Sequence, residues 1–350
     1  MKIFLTGCDG YLGSLLGPEL LRKGYDVTGV DTGFYREATL YRAGERVPLT
    51  ITKDIRQIGL EDLRGVEAVV HLAELSNDPV GQLAPKITHA INHEGSVRLA
   101  QIAKQAGVKR FVYTSSCSVY GVSDREFVDE ESPVNPQTAY AVCKTLVERD
   151  VKGLADDQFS PTFLRNATAY GASPRMRFDI VLNNLAGLAW TTGEIKMLSD
   201  GTPWRPLVHG LDIARAIIGV LEAPREAVDN QVFNVGDTNH NYRVREIAQM
   251  VGEAFPGCRV TFGPPSADNR SYRVSFEKIR KHLPAFKCAW DARSGAQQLH
   301  SLFKRIDMKT EVFQHRAFTR LKQIEYLIRT QQIDEHLFWR EPGFCEPGHV

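Results

Sequence analysis

Lys2-Ile3-Phe4-Leu5-Thr6-Gly7-Cys8-Asp9-Gly10-Tyr11-Leu12-Gly13 is the stretch that decides how this chain folds. Lys2–Thr6 reads as a short apolar strand that runs straight into a G-x-x-G-x-x-G turn. Residues 11–23 follow as a helix, with Leu12, Leu15, Leu16 and Leu20 at helical spacing. The glycines permit a tight turn and close backbone approach to a pyrophosphate. The helix N-terminus behind them offers unpaired N–H groups and a positive dipole end. Glycine spacing alone says little; the strand–turn–helix context gives it weight.

Asp31 stands at the tip of the second strand, residues 26–30. A carboxylate there accepts hydrogen bonds from ribose hydroxyls and repels a 2′-phosphate. The sequence therefore predicts NAD over NADP, with Arg36 the nearby cation that speaks for NADP. The expected contacts are Gly7, Gly10, Tyr11, Leu12, Gly13 and Asp31. Strand ends further on add Asp54 with Ile55, and Leu72 and Ala73 with Glu74, because ligands sit beyond the carboxyl ends of parallel strands.

Alternation continues outward from that motif. Strands are expected at 47–51, 68–72, 110–114 and 161–165. Helices are expected near 60–64, over 84–105, and over 138–150. Such alternation implies a doubly wound, Rossmann-like parallel sheet of the α/β class. The second half is less regular, with helices at 178–190, 212–222 and 244–254, a strand at 231–235 and a loop at 264–269. A charged helical tail is expected over 308–339. The division predicted is 1–172 for a dinucleotide domain and 173–350 for a smaller mixed α/β substrate domain, with some elements crossing back. The soft boundary lies near 170–174.

Composition sets outer limits. The chain has 350 residues, with 43 Lys and Arg against 42 Asp and Glu. That balance gives no reason to expect nucleic acid or an anionic membrane as partner. No basic and apolar leader opens the sequence, and no apolar run approaches the ~20 residues of a membrane span. A cytoplasmic protein is expected. The six cysteines form no C-x-x-C pair and fit no zinc set, so no metal site is expected. His89 and His93 lie four apart on a helix without an apparent third ligand, and read as a surface or packing pair. Asn92 between them can tie its helix to a backbone near the cofactor.

Tyr140 and Lys144 sit at i and i+4 on a predicted helix, so both project from one face. A free phenol titrates near about 10, and a neighbouring ammonium favours its phenolate. The pair can take a proton from a hydroxyl and return it to a carbonyl. Lys144 can also hold a nicotinamide ribose. Upstream, Ser116 falls where a strand ends at the sheet edge and can donate a hydrogen bond to the reacting oxygen.

Taken with these motifs, several further segments complete a pattern. They are His71-Leu72-Ala73, Thr114-Ser115-Ser116-Cys117-Ser118-Val119-Tyr120-Gly121, Leu164-Arg165-Asn166 with Tyr170-Gly171, and Arg205-Pro206-Leu207-Val208-His209-Gly210-Leu211-Asp212. The chain resembles an extended short-chain dehydrogenase/reductase of the nucleotide-sugar epimerase/dehydratase family. The resemblance implies tightly held NAD, a nucleotide-diphosphate sugar as substrate, and a homodimer built on helices. It implies Ser116, Tyr140 and Lys144 as catalytic residues. It also implies Arg205 at the substrate diphosphate and Asn183 or Asn184 at the phosphate or nucleoside, with Arg273 a further substrate candidate. Three positions depart from the pattern, one of them the segment Glu74-Leu75-Ser76-Asn77-Asp78, which stands where a lysine or similar polar group sometimes follows His-x-Ala. Dehydratases of this kind carry an Asp-Glu pair where this chain has Cys117-Ser118, which disfavours their elimination chemistry, and Thr168 stands where Asn is frequent. The expected activity is an epimerase working through a transient keto sugar. A keto-sugar-nucleotide reductase or dehydrogenase is the rival enzyme, and a silent NAD-binding regulator the rival from another class.

Overall fold

A computed structural model describes residues 1–42, 46–76, 78–265 and 271–340. Among the described residues, seven parallel strands form one sheet. Six are β1 (Lys2–Thr6), β2 (Asp26–Asp31), β3 (Leu49–Thr52), β4 (Ala68–His71), β5 (Arg110–Ser116) and β6 (Ser160–Asn166). Three further strands lie outside it: β7 (Thr168–Tyr170), β8 (Glu194–Lys196) and β9 (Trp204–His209). The seventh member is β10 (Val232–Val235). Two short strands follow, β11 (Asn241–Arg243) and β12 (Arg259–Thr261). The order across the sheet is β10-β6-β5-β4-β1-β2-β3. Successive strands leave β1 in opposite directions, and the crevice for a ligand opens at that reversal.

Both faces of the sheet are covered, as alternation along the strands requires. Phe4, Val69, Phe111, Tyr113 and Phe163 pack on one face with Leu99 and Val147. Ile3, Leu5, Val70, Val112 and Leu164 pack on the other with Leu16, Ile213 and Ile217. A second body of packing joins the helices Val181–Thr192, Val244–Ala254 and Ala292–Arg305 through Leu182, Leu185, Ile247, Val251, Leu299 and Phe303. Strands β11, β9 and β7 form a small second sheet, and β12 pairs with β8.

The structure differs from the sequence reading in several places, among them the helix Ala292–Arg305, which was not expected. The helix expected over 84–105 is interrupted: His89–Gly95 is wound as a π-helix before Ser96–Gln105 resumes the α form. There the Asn92 amide accepts from Leu75 N at 2.9 Å and donates to Leu75 O at 3.1 Å, which pins the loop after β4. The tail is helical only at Thr310–Gln314 and Arg320–Arg329, apart from a 3-10 turn at Arg316–Phe318. Gln331 and Leu337 take positive φ, and an Ile333–Trp339 bridge folds the remainder back. The short strands β7, β8, β9, β11 and β12 were not expected. The second half returns to the main sheet through β10 and the helix Gly210–Glu222. Of the loop expected at 264–269, residues 266–269 lie outside the described residues.

Candidate active site

The carboxyl ends of β1, β2, β4 and β5 open on a cleft of about 360 Å³. From β5 to β2 is three strand spacings, about 14 Å. At its centre Gly7 has φ +71°, and a Cβ there would lie 2.9 Å from Ala73 N. A Cβ on Gly13 would lie 2.1 Å from the Gly7 carbonyl oxygen. Backbone therefore packs on backbone, and only glycine leaves the cradle empty. At the β2 end, Asp31 accepts from Gly33 N at 2.7 Å and Asp9 N at 3.1 Å. Burial pushes its carboxyl up, and those N–H groups work against the push. Cradle, helix start and carboxylate suit a dinucleotide, with the diphosphate over the glycines and a ribose at Asp31.

His71 fixes the wall between them. Thr6 Oγ1 accepts from Leu72 N and Ala73 N, each at 3.1 Å, so its proton goes to His71 Nδ1 at 2.6 Å. Nε2 then carries the ring proton and donates to Ser96 Oγ at 2.8 Å, which donates to Asn92 O. Burial first, and Lys144 second, push this imidazole down to about 3.

At the β5 end stands the Tyr140–Lys144 pair. Thr138 caps the helix Ala139–Lys152 by accepting from Ala141 N at 3.2 Å. Lys144 Nζ lies 5.3 Å from the Tyr140 ring centroid and 4.6 Å from that of Tyr113. It donates to Thr114 O and pairs with Glu74 at 2.6 Å. Tyr113 donates its hydroxyl to the other Glu74 oxygen at 2.6 Å. Burial disfavours charge on Lys144, yet Glu74 and Tyr140 outweigh it and hold the ammonium on. Ser116 Oγ accepts from Ser118 N at 3.1 Å, so its proton remains available to a reacting oxygen. Beneath it Glu148 anchors the strand end, accepting from Ser115 Oγ at 2.5 Å and from Arg165 at 2.7 Å.

The cleft brings together Gly7, Gly10, Tyr11, Leu12, Gly13, Asp31, Asp54, Ile55, Leu72, Ala73, Ser116, Tyr140 and Lys144. The Asp54 carboxylate is bound to Arg56 at 2.8 Å. Asn183, Asn184, Arg205 and Arg273 are not among its lining residues. Asn183 is wholly buried, accepting from Gly171 N at 2.9 Å and donating to Arg177 O at 3.1 Å, so it holds that turn. Asn184 donates to Phe178 O at 2.9 Å. Arg205 donates to Trp204 O at 2.8 Å, and Arg273 lies 5.1 Å from the Trp204 ring, so each lies beside that tryptophan.

Cys117 is buried and donates to Arg165 O at 3.1 Å. Burial pushes its thiol well up, which makes it a packed neutral group. His93 is bonded to Asp150 at 2.7 Å and to His89 at 3.2 Å.

Among the charged lining residues, Lys53, Arg177, Asp179 and Arg320 had no assigned role in the sequence reading, and Glu74 had only that of a strand end near the cofactor. Arg177 pairs with Asp179 at 2.8 Å and reaches Ser76 Oγ at 3.3 Å. The Arg-x-Asp spacing was visible; that it faces the cleft was not.

The model of the NAD dependent epimerase/dehydratase family matches residues 3–236. The UDP-glucose 4-epimerase of Bacillus subtilis (strain 168) is 28% identical over 327 residues, covering 85% of this chain and 94% of that protein. The UDP-glucose 4-epimerase of Mycolicibacterium smegmatis is 30% identical over 298 residues, covering 81% and 92%. Among solved structures, MoeE5 in complex with UDP-glucuronic acid and NAD superposes with a TM-score of 0.74 at 27% identity, covering 87% of this chain and 99% of that one. The NAD dependent NDP-hexosamine 5,6-dehydratase TunA reaches a TM-score of 0.77 at 21% identity, covering 89% and 99%, a likeness of fold.

Proposed function

This chain belongs to the NAD dependent epimerase/dehydratase family, and on that premise we propose that it inverts a carbon of a nucleotide-diphosphate sugar through a transient keto sugar. The observation that carries this reading is the convergence of Ser116, Tyr140 and Lys144 on the cleft that also holds Asp31 and the glycine turn. NAD, when bound, supplies the hydride acceptor and donor that such a cycle needs. Gly7, Gly10, Gly13 and Asp31 would hold it. Tyr140 takes the proton of the sugar hydroxyl and returns it to the carbonyl oxygen after the sugar presents its other face. Lys144 keeps a positive charge beside the phenol, and the Ser116 hydroxyl steadies the developing charge on the sugar oxygen. The buried, neutral Cys117 cannot serve as the acid that elimination of water requires, which favours epimerisation over 4,6-dehydration.

The test is direct. Purified protein is denatured and its released NAD measured. Native protein is then given UDP-glucose, followed by other nucleotide sugars, with no added cofactor, and products are read by proton NMR. A new epimer without net reduced cofactor is expected. Stoichiometric consumption of added NADH would make the chain a reductase. A keto-deoxy product would make it a dehydratase.

A further inference from the structure

The tail beyond the family match reaches back across the chain. Residues 316–340 lie against the loops that follow β2, β3 and β4. Gln323 donates to Phe34 O at 3.0 Å, and the Trp339 indole donates to Thr32 O at 2.6 Å. Arg56 donates to His336 O at 3.0 Å. Ile324, Leu327, Ile333 and Leu337 are buried against Phe34, Ile55 and Leu75. An apolar seam of this kind holds the segment in place.

Arg320 is where the segment enters the cleft. The residue is 3% exposed, and its guanidinium lies 3.8 Å above the Tyr35 ring. Its backbone N–H donates to Asp179 at 3.1 Å. Its Nη1 is buried and has no hydrogen-bond partner among the described residues. Burial, then the like charge of Arg177, push it down to about 10, so it stays charged at neutral pH. A buried cation with an unspent donor is costly unless an anion arrives to meet it.

We propose that Arg320 donates to the diphosphate of the bound dinucleotide, and that residues 316–340 are the wall that retains the cofactor. The proposal rests on the reading of this cleft as the NAD site. The same cleft is lined by the glycine turn, whose helix start favours a diphosphate, and by Asp31, whose charge Arg320 feels. Guanidinium is suited to phosphate oxygens by its planar array of donors. The substrate's own diphosphate is expected near Arg205 and Arg273, outside this cleft.

Binding of NAD, ADP-ribose and UDP to cofactor-stripped, full-length protein is measured by calorimetry for wild type, Arg320→Met and Arg320→Lys. Met keeps the stem over Tyr35 and removes the charge. NAD and ADP-ribose are expected to bind at least about tenfold more weakly to Arg320→Met, with Arg320→Lys between, and UDP within about twofold of wild type. NAD is also expected to leave faster. Unchanged NAD affinity in a folded Arg320→Met protein would overturn the proposal. An equal loss for UDP would move the arginine to the substrate. Failure of wild type to bind NAD at all would instead sink the reading of the cleft. Should both variants fail to fold, hydrogen exchange of 316–340 in wild type decides: protection by NAD supports the wall, and no change refutes it.

Discussion

Lys144 Nζ lies 2.6 Å from a Glu74 oxygen, and the two side chains are 4% and 3% exposed. An ion pair this deeply buried does not by itself favour folding, but leaving either member alone is expensive. Glu74→Ala should therefore cost about 3 kcal/mol of stability. The double replacement Glu74→Ala with Lys144→Met should recover part of it. Urea unfolding of the four proteins of the cycle checks this. A loss in the double variant equal to the sum of the two single losses would mean that the pair is not coupled.

Tyr140→Phe removes the proton carrier and keeps the ring. Turnover of the accepted nucleotide sugar should fall by about 100-fold to 10,000-fold. Bound NAD should be retained, because the glycine turn and Asp31 are untouched. Cofactor content and product NMR on the same sample separate the two effects. Turnover within tenfold of wild type would remove Tyr140 from the chemistry.

Asp31→Ala removes the carboxylate at the β2 end. NAD should bind about tenfold more weakly, and the preference for NAD over NADP should narrow. Titration with each cofactor measures the ratio. An unchanged ratio would show that discrimination lies elsewhere.

His71 sets an acid limit on stability. Its folded value is about 3, against about 6.5 in an unfolded chain. Between those values the unfolded state binds a proton that the folded state refuses, so stability falls as pH falls through that window. The loss attributable to this ring is about 2 kcal/mol on going from pH about 7.5 to about 5. Urea midpoints of wild type and His71→Gln across that range should show a flatter pH dependence in the variant. Parallel curves would show that His71 does not titrate in this way.

Cys117→Ala tests the view of that thiol as packing. Activity should stay within about twofold, while stability falls by about 1 kcal/mol for the lost sulfur contacts. A loss of turnover by two orders of magnitude would restore an acid role.

The dinucleotide cradle and the Tyr140–Lys144 pair were legible because each is local: a turn between a strand and a helix, and two residues one helical turn apart. The parallel sheet was legible from the same alternation. Glu74 was legible only as a strand end near the cofactor, because its pairing with Lys144 and Tyr113 is set across the sheet. The strands β7, β8, β11 and β12 have three residues each, too few to show a period. Arg320 and Gln323 meet the loop after β2 only through tertiary packing, and nothing near them in sequence announces it. The π-helix at His89–Gly95 has no compositional mark.

Strand β10 is threaded in from late in the chain, yet it covers the flank of β6. A ribosome must therefore pass residue 235 before that flank has its hydrogen-bonding neighbour. Until then the nascent first half carries a bare, apolar sheet margin able to pair with another chain. Cutting the gene at the soft boundary near 170 should give a sticky fragment that needs chaperone shelter, however complete its glycine turn.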